Sequence, residues 1–361
     1  MAKGLFTQGM CVLLRAPMPN VEIQRRLSMF ELVGRQESID DDAAPETLVL
    51  QFRPEVQGHL MVTPSSARWP DDMGEPDENP EAFVAWSLGQ YGPLTYPGCL
   101  DRAVHDPTLT PALRRDVNDH AAHIRLLISY VVGADDDSDS EDLPEMPEGY
   151  DAEAELAAMT RAVTALLESP LAIAYFNPGG EIILDADTMR RGLNEAWTRD
   201  EPAIDMWVQS RCLVEHNGTS AEGWEVIDTV GQGQLDLPDL EAVFFGKLYA
   251  RDEVVDFLRG ITHELLDPHV GIDSFMEGQI RKGPGGIQWH CIACGDSLNS
   301  PPRPTLRWFA DDGLEIPAPA LADADDADDD SDEDGPSLHD WSDDFEELDL
   351  ESDDEEWDEP F

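Results

Sequence analysis

Residues 135–148 read DDDSDSEDLPEMPE and divide the sequence into two halves. Like charges repel one another along such a run, which also contains little apolar surface to bury, so it should stay extended and solvated. Residues 124–132 before it are apolar and strand-like, whereas residues 152–167 after it are strongly helical. We therefore predict an acidic linker or loop at residues 133–150, between two folded halves.

The first half, residues 1–132, shows the periodicities of both strands and helices. The stretch GMCVLLRA at 9–16 is apolar enough for a buried strand, and apolar residues between Asn20 and Gly34 recur at helical spacing. The predicted elements are a strand at 9–16, a helix at 20–33, a hairpin of strands at 47–52 and 59–63, helices at 80–89 and 111–120, and a strand at 124–132.

The second half, residues 151–310, repeats that order of elements. Both halves fit the split βαβ pattern, so the predicted fold class is α+β with two ferredoxin-like halves. The predicted elements are a helix at 152–167, strands at 171–176 and 182–184, a helix at 187–197, strands at 204–216 and 223–230, a helix at 252–266 and a final strand at 286–292.

The sequence is strongly acidic, with 77 Asp and Glu residues against 23 Lys and Arg and a formal net charge of −54. Residues 311–361 contain 25 acidic and no basic residues, which predicts a disordered acidic tail. No basic stripe is available to neutralise phosphates, so we expect neither direct nucleic-acid binding nor attachment to an anionic membrane. The charge favours a protein partner with a basic surface, although adaptation to a high-salt cytoplasm would also produce it.

The cysteines and the apolar runs indicate the compartment. Five cysteines, an odd number, are spread thinly along the chain, which argues against a disulfide framework. No apolar stretch approaches the roughly 20 residues of a membrane span, and the run at residues 10–14 is too short for a secretory signal. We expect a cytoplasmic protein with no membrane association.

The stretch WHCIACG at 289–295 contains the clearest candidate ligands. A C-x-x-C pair before a glycine is typical of one half of a zinc ribbon, because a tight turn directs two thiolates at one ion. We therefore consider His290, Cys291 and Cys294 as metal ligands, with zinc as the candidate cofactor. A structural site needs four ligands, however, and two other interpretations stay open: a redox pair, or two small residues near the end of a strand.

The remaining motifs do not form a catalytic set. The G-x-G at residues 231–233 lacks the third glycine of a dinucleotide site and is followed by Pro238 and acidic residues, so we interpret it as a turn. His120 and His123 lack the intervening acid of a zinc protease and are better explained as structural histidines. No P-loop and no nucleophile elbow occurs, so an enzyme is less expected than a binding protein.

Residues 224–241, WEVIDTVGQGQLDLPDLE, carry a family resemblance. Together with the Met-Trp-Val at 206–208, they resemble a bacterial family called domain of unknown function 4261 over roughly residues 170–295. The resemblance rests on the pattern T-x-G followed by L-x-L-P-D-L-E, and it departs from the family pattern at Gln232, where the family has Met. It implies no established activity, cofactor or catalytic residue.

The last residues, DDEEWDEPF at 353–361, resemble the acidic tip of bacterial single-stranded DNA-binding proteins, which also ends in Pro-Phe. A terminal Phe ring can enter an apolar pocket while the neighbouring acids meet Arg or Lys around its rim. The candidate partner-binding residues of the tail are Trp341, Phe345, Trp357, Pro360 and Phe361.

Taken together, these features predict a non-catalytic protein-interaction module whose acidic tail engages a basic partner surface. Two alternatives stay open. An immunity protein that neutralises a basic toxin would benefit from the same charge, because an acidic surface speeds association with a basic one. A metal-binding or redox protein would instead use Cys291 and Cys294.

Overall fold

A computed structural model gives the structure of the protein and describes residues 5–36, 46–77, 79–131, 146–147, 149–213, 223–267, 270 and 279–321. The strands of this part are β1 (Gln8–Leu14), β2 (Leu32–Gln36), β3 (Thr47–Gln51), β4 (His59–Ser65), β5 (Ala122–Ser129), β6 (Ala172–Asn177), β7 (Ile182–Leu184), β8 (Gln209–Leu213), β9 (Trp224–Val230), β10 (Asp239–Phe245), β11 (Ile280–Lys282), β12 (Gln288–Cys294) and β13 (Thr305–Ala310). The helices are α1 (Asn20–Arg26), α2 (Pro80–Ser87), α3 (Cys99–Val104), α4 (Pro111–Asn118), α5 (Ala152–Leu167), α6 (Ala186–Arg199), α7 (Arg251–Leu266) and α8 (Ala318–Leu321).

The first sheet has seven strands in the order β2-β3-β4-β5-β1-β6-β7. Every neighbouring pair in it is antiparallel. Its strand β1 pairs with β5 on one side and with β6 on the other, so the sheet contains strands from both sides of the acidic segment at 133–150. All seven residues of β1 are buried, as expected for a strand that is covered on both faces.

The two faces of β1 belong to two hydrophobic clusters. Met10, Val12 and Leu14 pack on the face that α5 covers, whereas Cys11 and Leu13 pack on the face covered by α3 and α4. Side chains alternate across a strand, so one unbroken apolar run supplies both clusters. This explains why the sequence predicted β1 correctly.

The second sheet has six strands in the order β11-β12-β13-β10-β9-β8. Its strands β10 and β13 are parallel, and the helix α7 lies between them in the sequence. Leu240, Phe244 and Trp308 project from one face of this sheet into the cluster that also contains Met10 and α5. A single apolar core therefore joins the two sheets.

The α+β class predicted from the sequence is confirmed, but two ferredoxin-like halves are not. That pattern relies on helical crossovers between strands of one sheet, which align strands in parallel. In the described sheets, β10 and β13 are the one parallel pair among the neighbours. The strands β6 and β7 belong to the second half of the sequence, but they pair with the first sheet and not with the other strands of that half.

Several element boundaries also differ from the predictions. The helix predicted at 20–33 ends at Arg26, because residues from Leu32 onward pair with β3. The strand predicted at 204–216 begins with a short 3-10 helix (Ile204–Met206), and β8 starts only at Gln209. The strands β10 and β13 and the helix α3 were not predicted.

The tail boundary predicted at residue 310 lies inside the packed region. Ala320 is fully buried, and Ile316 packs against the cluster of Val243 and Phe309 on the second sheet. Most of the predicted linker (133–145 and residue 148) and the rest of the predicted tail (322–361) lie outside the described residues, so their predicted disorder stays a prediction. Among the helices of the described part, none is both long and apolar enough to cross a membrane.

Candidate functional site

A row of charged side chains crosses one face of the second sheet. Arg211 of β8 lies opposite Asp228 of β9, Asp228 lies opposite Glu241 of β10, and Glu241 lies beside Arg307 of β13. Side chains at paired positions project from the same face of a sheet. Two carboxylates therefore lie between two guanidinium groups, and the row has no net charge.

Asp228 is the most heavily hydrogen-bonded carboxylate of the row. Arg211 binds it through two bonds, Nε to Oδ1 at 3.0 Å and Nη2 to Oδ2 at 2.5 Å. Arg303 donates from Nη2 to the same Oδ2 at 2.7 Å, and its Nε lies 3.1 Å from Oδ2 of Asp239. Burial acts to raise the pKa of Asp228, but the guanidinium groups of Arg211 and Arg303 outweigh it and lower this pKa.

The pair of Glu241 and Arg307 is sealed from solvent. Arg307 Nε donates to Glu241 Oε2 at 2.7 Å, and their side chains are 1% and 0% exposed. The guanidinium group also donates to the carbonyls of Ala320 and Asp296, at 3.0 and 3.1 Å. The backbone N–H of Leu298 donates to Glu241 Oε1 at 2.7 Å. The pair thus fastens α8 and the loop after β12 onto the sheet.

Glu181 connects this cluster to the first sheet. It lies just before β7, and its carboxylate accepts from Arg102 Nε at 2.6 Å and from Arg211 Nη1 at 3.1 Å. Burial raises the pKa of Glu181 and likewise those of Asp239 and Glu241, with the arginines acting in the opposite direction. We call the following set the buried charge network: Arg102, Glu181, Arg211, Asp228, Asp239, Glu241, Arg303 and Arg307.

Each of the four carboxylates in the buried charge network lies within 3.1 Å of an arginine nitrogen. A general acid or base must exchange a proton with a substrate, and a nucleophile must reach one. Groups held this tightly by opposite charges instead fix the relative positions of strands and loops. We therefore assign the network to structure rather than to catalysis.

The G-x-G turn lies beside the network and has a structural role too. Gly231 adopts φ 111°, which favours glycine, and residues 232–235 form a short 3-10 helix. Thr229 Oγ1 and the N–H of Gln232 donate to Oδ1 of Asp239, at 2.9 and 3.2 Å. The adjoining cavity, lined in part by Gly231, Asp239 and Arg303, measures about 40 Å³, which suits a few waters rather than a nucleotide. The interpretation of these glycines as a turn is confirmed.

A larger cleft opens where the sheet ends at β8, and we call it the edge cleft. Its volume is about 540 Å³, within the range of about 300–1,000 Å³ typical of ligand sites. Residues 209–212 of β8 form one wall, residues 101–108 form the second, and residues 298–300 form the third. Gln209 Nε2 donates to Asp106 Oδ2 at 2.9 Å and thereby links two of these walls.

An apolar groove of about 660 Å³ lies on a different surface, among α5, α6 and the segment that follows α1. Trp197 in its wall is 72% exposed, and Met29 is 57% exposed. Large exposed aromatic side chains are typical of protein-binding surfaces. The charged residues of its lining are Glu153, Arg161, Glu168 and Glu201, three carboxylates and one guanidinium group.

The structure separates the metal ligands predicted from the C-x-x-C motif. Cys291 and Cys294 both lie in β12, opposite Trp308 and Thr305 respectively. Side chains three apart in a strand project from opposite faces, so these two thiols are not directed at one ion. Burial, with the neighbouring Cys294 second, raises the pKa of Cys291 to about 12, which disfavours the thiolate that zinc or redox chemistry needs.

His290 lies on the other side of the strand from Cys291, 3.5 Å from Asp311 Oδ2. Within the described ranges, no group of three or more His, Cys, Asp or Glu side chains could hold a metal ion. The geometry therefore does not support the predicted site at His290, Cys291 and Cys294.

His120 and His123 are structural, as the sequence indicated. His120 Nε2 accepts from the N–H of Trp69 at 2.8 Å, and its Nδ1 lies 2.6 Å from the carbonyl of Val117. His123 Nδ1 lies 3.0 Å from the carbonyl of Ala67, and burial lowers the pKa of His123 to about 4. Both rings therefore serve as buried hydrogen-bonding groups.

The candidate partner-binding residues of the tail, Trp341, Phe345, Trp357, Pro360 and Phe361, lie outside the described residues. The sequence did not single out the buried charge network, because acidic residues are so abundant that no pair stands out. A signal was nevertheless present. Asp239 and Glu241 alternate with Leu240 and Ala242, and Arg307 stands between Leu306 and Trp308. Isolated charges in such apolar strands indicate buried ion pairs.

Comparison of the chain with protein-family models, with curated proteins and with solved structures finds no match in any of the three. The resemblance of residues 170–295 to domain of unknown function 4261 therefore stays a prediction. So does the resemblance of the last residues to the tip of single-stranded DNA-binding proteins.

Proposed function

We propose that the protein is a non-catalytic binding protein that recognises a partner protein with a basic surface. The observation that carries this proposal is the distribution of its charge. The sequence has 77 acidic against 23 basic residues, and the arginines of the buried charge network already neutralise carboxylates inside the molecule. The acidic surplus is therefore left for the surface and the segment at 322–361.

Arginines at the surface are largely engaged as well. Arg35 pairs with Glu46 at 2.8 Å, and Arg251 pairs with Glu225 at 2.7 Å. A field of one sign steers an oppositely charged protein toward its site and raises the association rate. The apolar groove around Trp197, with its three carboxylates, supplies apolar area of the kind that holds a partner after encounter.

Affinity capture with the full chain tests the proposal. The comparison variant keeps the full length but carries Asn for Asp and Gln for Glu throughout residues 322–361. We expect a stoichiometric partner of basic isoelectric point, whose dissociation constant rises by roughly tenfold between about 50 and about 500 mM KCl as charge is screened. The Asn/Gln variant should bind it more weakly at low salt and show a flatter salt dependence.

Titration calorimetry with the purified pair gives these constants. Identical affinity of the two forms would exclude a role for the acidic segment. Partners without basic character, or binding that does not respond to salt, would contradict the proposal as a whole.

A further inference from the structure

The strand β8 ends the second sheet, so one of its two edges faces away from β9. The hydrogen bonds between β9 and β10 show which residues of β8 direct their main-chain N–H and C=O groups away from the sheet. Gly246 N–H donates to the Gly223 carbonyl at 2.9 Å, and Leu240 N–H points at Thr229, 2.8 Å from its Oγ1. The main-chain N–H and C=O groups of odd-numbered residues in β9 therefore point toward β10, and those of even-numbered residues point toward β8.

This pattern fixes the role of each residue in β8. Arg211 lies opposite Asp228 and exchanges main-chain hydrogen bonds with it, so its neighbours Ser210 and Cys212 direct their N–H and C=O groups away from the sheet. Among the residues that the structure describes, none hydrogen-bonds to these outward groups. An open row of main-chain donors and acceptors can pair with another extended chain.

The edge cleft lies against this open row. Ser210 and Cys212 both line it, and residues 101–108 form the facing wall. A chain that pairs with β8 therefore enters a preformed cleft rather than lying on an open surface.

The charge around the cleft selects the kind of chain. Its guanidinium groups, Arg102 and Arg211, are held by Glu181 and Asp228 behind them. The facing wall also carries the carboxylates of Asp101 and Asp106, which belong to no pair with these two guanidinium groups, and the Asp101 side chain is 75% exposed. The buried charge network is balanced, with four carboxylates and four guanidinium groups, so Asp101 and Asp106 leave two negative charges in excess around the cleft. This excess favours a cationic occupant.

We propose that the β8 edge binds an extended, Lys- or Arg-rich segment of the partner protein as an added β-strand. This mode of recognition takes affinity from main-chain hydrogen bonds and specificity from side-chain contacts. The inference rests on the proposed function, which it deepens by naming the binding element and the conformation of the bound segment.

A labelled peptide of Lys-Val repeats tests the inference on the full-length protein. Its diastereomer with D-Val at every Val position has the same charge and composition but does not form a regular strand beside β8. Fluorescence anisotropy should show that the all-L peptide binds at least about tenfold more tightly than the diastereomer, because the diastereomer cannot form the main-chain hydrogen bonds to β8.

Two protein variants locate the binding. Ser210→Pro removes an outward N–H without removing a hydrogen bond to β9. It should therefore weaken binding of the all-L peptide by about tenfold, whereas Ser210→Ala should leave this binding unchanged. Cys212 supplies an independent readout, because it is exposed while the other four cysteines are buried. Bound all-L peptide should slow the alkylation of Cys212 by N-ethylmaleimide.

Equal binding of both peptides, with no protection of Cys212, would overturn the inference while leaving the proposed function intact, since charge alone would then explain binding. The diastereomer comparison uses the unaltered protein, so it decides the matter even if Ser210→Pro does not fold. If neither peptide binds and no basic partner is captured, the proposed function fails as well.

Discussion

At the scale of single residues, the molecule places charges inside a sheet and matches each with an opposite charge. Asp228 receives two guanidinium groups, and Glu241 shares a sealed site with Arg307. Removing one member of a buried pair leaves an unpaired charge in a site of low polarity, and this costs far more than losing an exposed pair. The consequences of substitution should therefore differ sharply between buried and surface arginine pairs.

We predict that Glu241→Gln lowers the free energy of unfolding by about 3–5 kcal/mol, because Arg307 then stays charged and buried without its partner. The double change Glu241→Leu with Arg307→Met should recover part of this loss. Urea unfolding followed by circular dichroism measures both. The matched control is Glu46→Gln, which breaks the exposed pair with Arg35 and should cost about 0–1 kcal/mol. Equal losses in the two single variants would contradict the prediction.

At the scale of elements, the strands that the sequence predicted are those with continuous or alternating apolar residues, such as β1, β4 and β5. The strands β10 and β13 were missed although they lie in the middle of the second sheet. Their alternate positions carry Asp239, Glu241 and Arg307, and a charged residue in a short segment is ordinarily interpreted as a sign that the segment is exposed to solvent. The pairing that makes these charges tolerable joins residues distant in sequence, so the alternation with apolar residues can indicate a buried ion pair but cannot identify its partner. For the same reason the edge cleft could not be predicted before the register was known.

Acidic residues also begin helices. Asp185 precedes α6, and its Oδ1 accepts from the N–H of Thr188 at 2.7 Å. We predict that Asp185→Ala lowers the free energy of unfolding by about 1 kcal/mol, whereas Asp185→Asn, which keeps an acceptor, has a smaller effect. Thermal unfolding by calorimetry measures the difference. Asp187→Ala is the control, because the Asp187 side chain is 77% exposed and pairs with Arg190 one turn on. A loss at Asp187 as large as at Asp185 would refute the capping role.

At the scale of the whole molecule, a net charge of −54 acts against compactness through self-repulsion. The screening length of salt is about 10 Å at 0.1 M and about 3 Å at 1 M, so most of the repulsion is already screened at moderate salt. A protein adapted to a high-salt cytoplasm should instead keep gaining stability at molar salt. The shape of the salt dependence therefore distinguishes the two origins of the acidity.

We predict that the melting temperature rises with KCl and levels off by about 0.5 M, as screening alone requires. Differential scanning fluorimetry from low salt to several molar KCl measures this curve. Sucrose at matched osmolality serves as the control, because it does not screen charge. A melting temperature that climbs steadily through molar KCl would favour salt adaptation, and a flat curve would exclude a charge effect on stability.

The central position of β1 has a consequence for biosynthesis. The ribosome completes β1 near residue 14, but its neighbour β6 begins only at residue 172. At about 5–20 residues per second, this interval lasts roughly 10–30 s. Throughout it, the nascent chain holds a strand that is apolar on both faces, paired with β5 at most and open on its other edge. Until β6 is synthesised, this edge is therefore open to a chaperone or to mispairing with another nascent chain.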